Sequence, residues 1–343
     1  MAPQQHTAGG TLSRTQAIWR WVRILMGAVG LILLIGLVDG EDVWQTLRTA
    51  QFIYFVPAWA LLFLSTSTKT LRWWVVLRQT AVTIGFRRLL GTYLIGTFYS
   101  QFLPGSSAGG DAMRMAESSV DTGQGVSSVA AVIVERLVGL VTILCTASLI
   151  LLVLRPPDVP FGVTALVYTL AVGGVLGLVV LRFGWFVGLG VHSLTRLGLH
   201  KIGEKVRALS LALRGGLGTG PTLTQLIVLS LIANFFSMSA FYLALLALAE
   251  PVPYFSFITF VALIVTLEVI PLTPGSLGIR EGAYVFFLGY LGIAEADALG
   301  ISLLIRVLTW SLGLVGGLVL MQRGMQSSGA VVSPPPLHNS PGD

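Results

Sequence analysis

The chain has 343 residues, of which 54% are hydrophobic and only 10% charged, with a mean hydropathy of +0.84. Soluble domains carry roughly 25% charged residues, so this composition excludes an ordinary soluble enzyme and points to an all-α polytopic membrane protein. The single cysteine, Cys145, excludes a disulfide framework. The absence of HExxH, CxxC and Walker-type patterns argues against metal, cofactor or nucleic-acid chemistry.

Residues 1–23 carry Arg14, Arg20 and Arg23 before an apolar run. A basic segment beside a span marks the cytoplasmic side, so the N-terminus is expected there. The run resembles a signal peptide, but DGEDVW follows it in place of a small-x-small cleavage pattern, so it is read as a retained first span. Crossings are expected at about 22–39, 50–68, 126–154, 160–181, 222–249 and 298–321, against the ~20 residues needed to traverse a bilayer. Asp39, Glu41 and Asp42 then fall outside, and Lys69, Arg72, Arg78, Arg87 and Arg88 inside.

Segment 89–120 decides the topology. As one full span it would put Arg182, Arg196, Lys201, Lys205, Arg207 and Arg214 outside, against the positive-inside rule. As a hairpin entering and leaving from the cytoplasm, it keeps them inside. The same logic makes 254–293 a hairpin opened to the outside. The expected architecture is six crossings plus two oppositely oriented re-entrant hairpins, with both termini cytoplasmic. Segment 186–214 mixes Leu, Val and Trp with basic residues and reads as an amphipathic helix on the inner leaflet. The Ser/Pro/Gly-rich tail, 324–343, reads as disordered.

The two hairpins contain related stretches, FLPGSSAGGDAMRMA (102–116) and LTPGSLGIREGAYVF (272–286). Each has Pro-Gly-Ser, a further glycine, then a charge pair. This suggests inverted repeats, one over about 50–181 and one over about 222–321, in a single domain of 24–323. Broken helices near the membrane midplane are a recurrent transporter build. Pro104, Gly105, Gly110, Pro271, Pro274, Gly275 and Gly278 are the expected breaks. A half-helix starting there aims its free N–H groups and positive dipole end inward, which suits a phosphate.

Ionisable residues within these runs are functional candidates by default. Glu135 and Arg136 are either anchors at the inner boundary or, in a helix starting near 126, one-third deep. Arg306 either snorkels outward or lies within the bundle. Arg280 and Glu281 open the half-helix after PGSLG, where an acid also serves as a dipole partner. Glu268 is expected to pair with Arg280 or Arg306. Asp111 and Arg114 are three residues apart and suit either a bridge or head-group binding. Arg72, Arg87 and Arg88 are read as facing the anionic inner leaflet. Replacing Glu281 by Gln is expected to keep the fold, because the amide is nearly isosteric and itself needs no counter-charge.

At LRWWVVL, FLPGSSAGGDAMR, VIVERLVGL, PLTPGSLGIRE and IRVLTW the chain resembles the lysylphosphatidylglycerol synthase transmembrane-domain family, over roughly 15–323. That family is the flippase-like membrane half of the bacterial multiple peptide resistance factor. Two departures stand out. The aminoacyl-transferase domain of the best-known members is expected to be absent, and Ser106 and Ser276 follow Pro-Gly where the family often has a second glycine. The resemblance implies a plasma-membrane lipid translocator rather than an enzyme. On the reading of the charged residues, Arg280, Arg136 and Arg306 are expected to hold a phosphate. Glu281, Glu135 and Glu268 would balance them or bind a cationic head group. Membrane lipids are the expected partners, with a separate lipid synthase as a further one. The alternatives are an integral-membrane transferase acting on lipid-linked substrates and a noncatalytic partner of a synthase.

Overall fold

The computed structural model describes residues 44, 48–79, 84–102, 106–155, 159–184, 200–248, 252–269 and 276–329. Among these, all regular structure is helical. A short 3-10 turn, Phe52–Tyr54, leads into α1 (Phe55–Gln79). It is followed by α2 (Phe86–Phe102), α3 (Ser106–Thr122), α4 (Gly125–Leu154) and α5 (Phe161–Phe183), then by α6 (His200–Leu217) and α7 (Gly220–Leu246). The chain closes with α8 (Tyr254–Leu267), α9 (Ile279–Gly289) and α10 (Glu295–Gly329). The expected first span at 22–39 and residues 186–199 of the expected amphipathic helix lie outside the described residues, as do the breaks Pro104, Gly105, Pro271, Pro274 and Gly275.

Length sorts these helices into two kinds. Those over Gly125–Leu154, Phe161–Phe183, Gly220–Leu246 and Glu295–Arg323 are long and apolar enough to cross a membrane, and they coincide with four expected spans. At about 1.5 Å per residue, α2 and α3 reach only ~25 Å, α8 ~21 Å and α9 ~16 Å, short of a ~30 Å hydrocarbon core. The last helix continues to Gly329, past the expected start of the tail at 324.

The expected second span, 50–68, needs correction. Helix α1 starts at Phe55 and runs on to Gln79, so Lys69 and Arg72, expected just past the inner end of the span, lie within the same continuous helix. Its face of Ser65, Thr66, Thr70, Arg72 and Trp73 is buried, chiefly against α7. Hydropathy averages all faces of a helix, whereas packing selects one.

Helix α8 lies at the centre. Every residue from Ser256 to Ile264 is buried, as expected for a helix apolar on all sides. It joins Met238, Leu245, Tyr284, Phe287, Ile305 and Leu308 in the main apolar core, while Trp73, Val76, Leu89, Val132 and Leu226 form a second cluster. Helix α5, by contrast, leaves Phe161, Val172, Leu176, Val179 and Phe183 exposed, a face suited to lipid. Its last carbonyls are met from α6, where Arg214 Nε donates to the Arg182 carbonyl at 3.2 Å.

Two close crossings position the site. Helices α2 and α3 pack together so tightly that a Cβ on Gly110 would strike the Gly96 carbonyl. Gly110 therefore does not break the chain as expected. It lies inside α3 and permits a close approach. Likewise a Cβ on Gly316 of α10 would collide with the Leu94 carbonyl of α2. Beyond this crossing Arg323 pairs with Glu117 of α3 and donates to the Arg88 carbonyl at 2.7 Å, and Arg88 holds Asp121 at 2.9 Å.

Candidate functional site

The first group of buried charges is built on α1, α3 and α4. Helix α4 begins at Gly125, so Glu135 and Arg136 sit three turns inside it. This is the deeper of their two expected positions. Glu135 is only 2% exposed and serves two arginines. Arg72 Nη2 pairs with Glu135 Oε1, and Arg114 Nη2 donates to Oε2 at 3.1 Å. Arg114 Nη1 also lies 3.3 Å from Asp111 Oδ1, while Arg136 pairs with Asp111 Oδ2. The result is an alternating row, Arg72, Glu135, Arg114, Asp111, Arg136, that ties three helices together.

Aromatic rings and a glycine complete the row. The Arg114 guanidinium sits 4.0 Å from the Tyr93 ring centre and 4.4 Å from that of Trp73, an arrangement that attracts a desolvated cation. A Cβ on Gly139 would lie 2.7 Å from Arg72 Nη2, so glycine there leaves room for the guanidinium where it stands. Arg72 Nη1 donates to Ser230 of α7 at 2.6 Å. The expected leaflet-facing role of Arg72 is thereby corrected, because at 3% exposure it is interior.

The second group is built on α8, α9 and α10. Gly278, at φ 80°, turns the chain into α9, a conformation that L side chains avoid. Glu281, in the first turn, folds back so that Oε2 accepts the Gly278 N–H at 2.8 Å. Its Oε1 takes Arg306 Nε at 2.8 Å as well as Nη2. Glu281 is fully buried and Arg306 nearly so, hence Arg306 does not snorkel outward. Of the two partners open to Glu268, Arg280 takes it, at 3.3 Å and without hydrogen-bond geometry at Nε.

Between the groups lies a cavity of about 320 Å³. Of the expected site residues, Asp111, Arg114, Glu135, Arg136, Glu268 and Arg280 line it, together with Gly110. Glu281 and Arg306 are not among its lining residues and act as an ion pair that fixes α9 to α10. Lys69, Arg72, Tyr93 and Ser237 line it too, although the sequence reading did not place them there. Their one signal is spacing, since Ser65, Lys69 and Arg72 recur three and four residues apart on one face of α1. The wall holds five cationic side chains (Lys69, Arg72, Arg114, Arg136, Arg280) against three carboxylates (Asp111, Glu135, Glu268), an excess of two positive charges. Thr66, Thr97, Ser100, Gln101 and Asn234 add neutral polar groups, while Leu140, Met238, Phe241 and Leu312 add apolar surface. Such a wall suits a charged group with a hydrocarbon attached. Among the described residues, no three His, Cys, Asp or Glu side chains are grouped to hold a metal ion.

A UPF0104 membrane protein of Methanothermobacter thermautotrophicus is 24% identical over 336 residues, which cover 86% of this chain and 93% of that protein. A family model described as the lysylphosphatidylglycerol synthase TM region matches residues 20–317. That match spans most of the chain, including every residue of both charged groups, and the chain belongs to this family of membrane proteins.

Proposed function

We propose that the protein moves a lipid with a charged head group between the leaflets of the plasma membrane, as a transporter and not as an enzyme. The observation that carries this reading is the polar, charge-lined cavity of about 320 Å³ inside a bundle whose outer faces are apolar. A bare charge entering hydrocarbon meets a large desolvation penalty. Prepositioned counter-charges offset it for the head group, while the tails stay in lipid. A phosphate entering the cavity competes with Asp111 for Arg136, whose side chain keeps 27% exposure. Membership of a family described as a phospholipid synthase's membrane region favours a lipid cargo, supplied by a separate synthase.

The working architecture is six crossings with α2/α3 and α8/α9 as re-entrant hairpins, opened to the cytoplasm and to the outside respectively, in inverted repeats. Support comes from the helix lengths, which run long, short, short, long in both α1–α4 and α7–α10. In each set the second short helix is ion-paired to the long helix that follows it. Alternating access then consists of rocking one set against the other about the cavity.

The test is reconstitution in liposomes with head-group-labelled phospholipid and an impermeant quencher. Inner-leaflet label should become accessible faster than in empty vesicles. No acceleration with any anionic, aminoacylated or isoprenoid lipid would overturn the reading. The topology is checked separately in a Cys145→Ala background. Cysteines near Asp42, Pro157 and Asp297 should react with an impermeant thiol reagent from outside, and those near Arg88 and Lys201 should not. Outside labelling at position 201 would overturn the hairpin assignment.

A further inference from the structure

Lys69 is the cation that the ion-pair row leaves over. Among the described residues no carboxylate lies within ion-pair range of its ammonium, which instead donates to Ser237 Oγ at 3.2 Å. Ser65 and Ser237 Oγ are 2.6 Å apart, and Ser65 donates to the Ala233 carbonyl at 2.9 Å. With the Ser65 proton committed to that carbonyl, Ser237 must donate to Ser65 and accept from Lys69. An ammonium has three N–H donors, so this relay orients Lys69 and leaves two for a ligand.

Its neighbours have the same surplus. Arg72 and Arg114 both line the cavity, and in each the Nε–H is buried and, among the described residues, without an acceptor. A buried donor left unpaired is unfavourable, and an incoming oxygen relieves it. Charge points the same way. Three arginines share the two carboxylates Asp111 and Glu135, and Lys69 has none, whereas across the cavity Arg280 and Glu268 cancel.

The geometry points to an anion subsite formed by Lys69, which Ser237 orients, with Arg72 and Arg114, that takes the phosphate of a net-anionic head group and disfavours zwitterionic or aminoacylated ones. This deepens the lipid reading and rests on it only for the bearer of the phosphate. A soluble phosphate would offer the same chemistry. Lys69 is the specificity-determining residue, because among the described residues it is the cation of the cavity wall that has no carboxylate partner.

The test is binding by the full chain in phosphatidylcholine nanodiscs, followed by tryptophan fluorescence. Short-chain phosphatidic acid, phosphatidylethanolamine and inorganic phosphate are titrated against the wild type, Lys69→Gln and Lys69→Arg. The wild type should prefer phosphatidic acid over phosphatidylethanolamine by about tenfold or more, as the loss of one charge-assisted hydrogen bond implies. Lys69→Gln should abolish that preference and Lys69→Arg should restore most of it. Equal preference in wild type and Lys69→Gln would overturn the subsite. If Lys69→Gln does not fold, absence of the preference in the wild type overturns it equally. Inorganic phosphate binding as tightly as phosphatidic acid, and in a Lys69-dependent way, upholds the subsite and assigns it a soluble anion. Selective binding without translocation upholds it and removes the transport reading instead.

Discussion

Replacing Glu281 by Gln preserves the shape of the side chain and removes one charge from a fully buried pair. The amide needs no counter-charge, but Arg306 does, at 3% exposure and with Glu281 as its ion-pair partner. Removing one member of a buried pair destabilises by about 3–5 kcal/mol. The Gln oxygen still accepts one of the bonds that Glu281 now takes from Gly278 and Arg306, which places the expected loss at the lower end, about 3 kcal/mol. The variant, expected from the sequence to keep its fold, is thus expected to keep it at reduced stability. Unfolding in mixed micelles of dodecylmaltoside and SDS measures the loss, and Arg306→Met closes the cycle. If the pair is coupled, the double variant should recover at least about 2 kcal/mol relative to the sum of the single ones. Additive effects, or a Glu281→Gln loss below about 1 kcal/mol, would show the pair to be uncoupled and reduce Glu281 to a helix-terminus partner.

Gly278→Val should lower stability by about 1–3 kcal/mol and loosen the start of α9, because a β-branched residue is strained at φ 80°; micelle unfolding and hydrogen exchange over 279–284 check this. Gly316→Ala should lower the unfolding midpoint by the equivalent of about 1–3 kcal/mol, since its Cβ meets the Leu94 backbone and not a side chain that can turn away. Glu135→Gln should be more damaging than Asp111→Asn in the same assay, because it deprives two interior arginines, Arg72 and Arg114, whereas Arg136 retains access to water.

Much of the second charged group was legible in the sequence. PGSLGIRE announces a chain break followed by a helix start, and the need to neutralise Glu268 in an apolar run limits its partner to two arginines. The i, i+3 pairing of Asp111 with Arg114 follows from helix geometry alone. The first group was only half legible. Arg72 and Lys69 follow an apolar run, and hydropathy cannot distinguish the end of a span from a helix that turns a polar face inward. The residues that decide the matter, Ser230 and Ser237, lie more than 150 positions away. The role of Gly110 was hidden for the same reason, because its neighbour Gly96 comes from the helix packed across it. Glu281 looked like a ligand since nothing local in the sequence pairs it with Arg306.

If head groups pass through the cavity, filling it should stop them. Thr97 lines the cavity on α2 and takes no part in the ion-pair row. Thr97→Trp therefore narrows the path while leaving every charge in place. The measurement is the initial rate at which inner-leaflet, head-group-labelled phosphatidic acid becomes accessible in proteoliposomes, with monodispersity checked beforehand. The wild type should accelerate exposure, and Thr97→Trp should return it toward the empty-vesicle rate. A well-folded Thr97→Trp that translocates at the wild-type rate would contradict passage through the cavity.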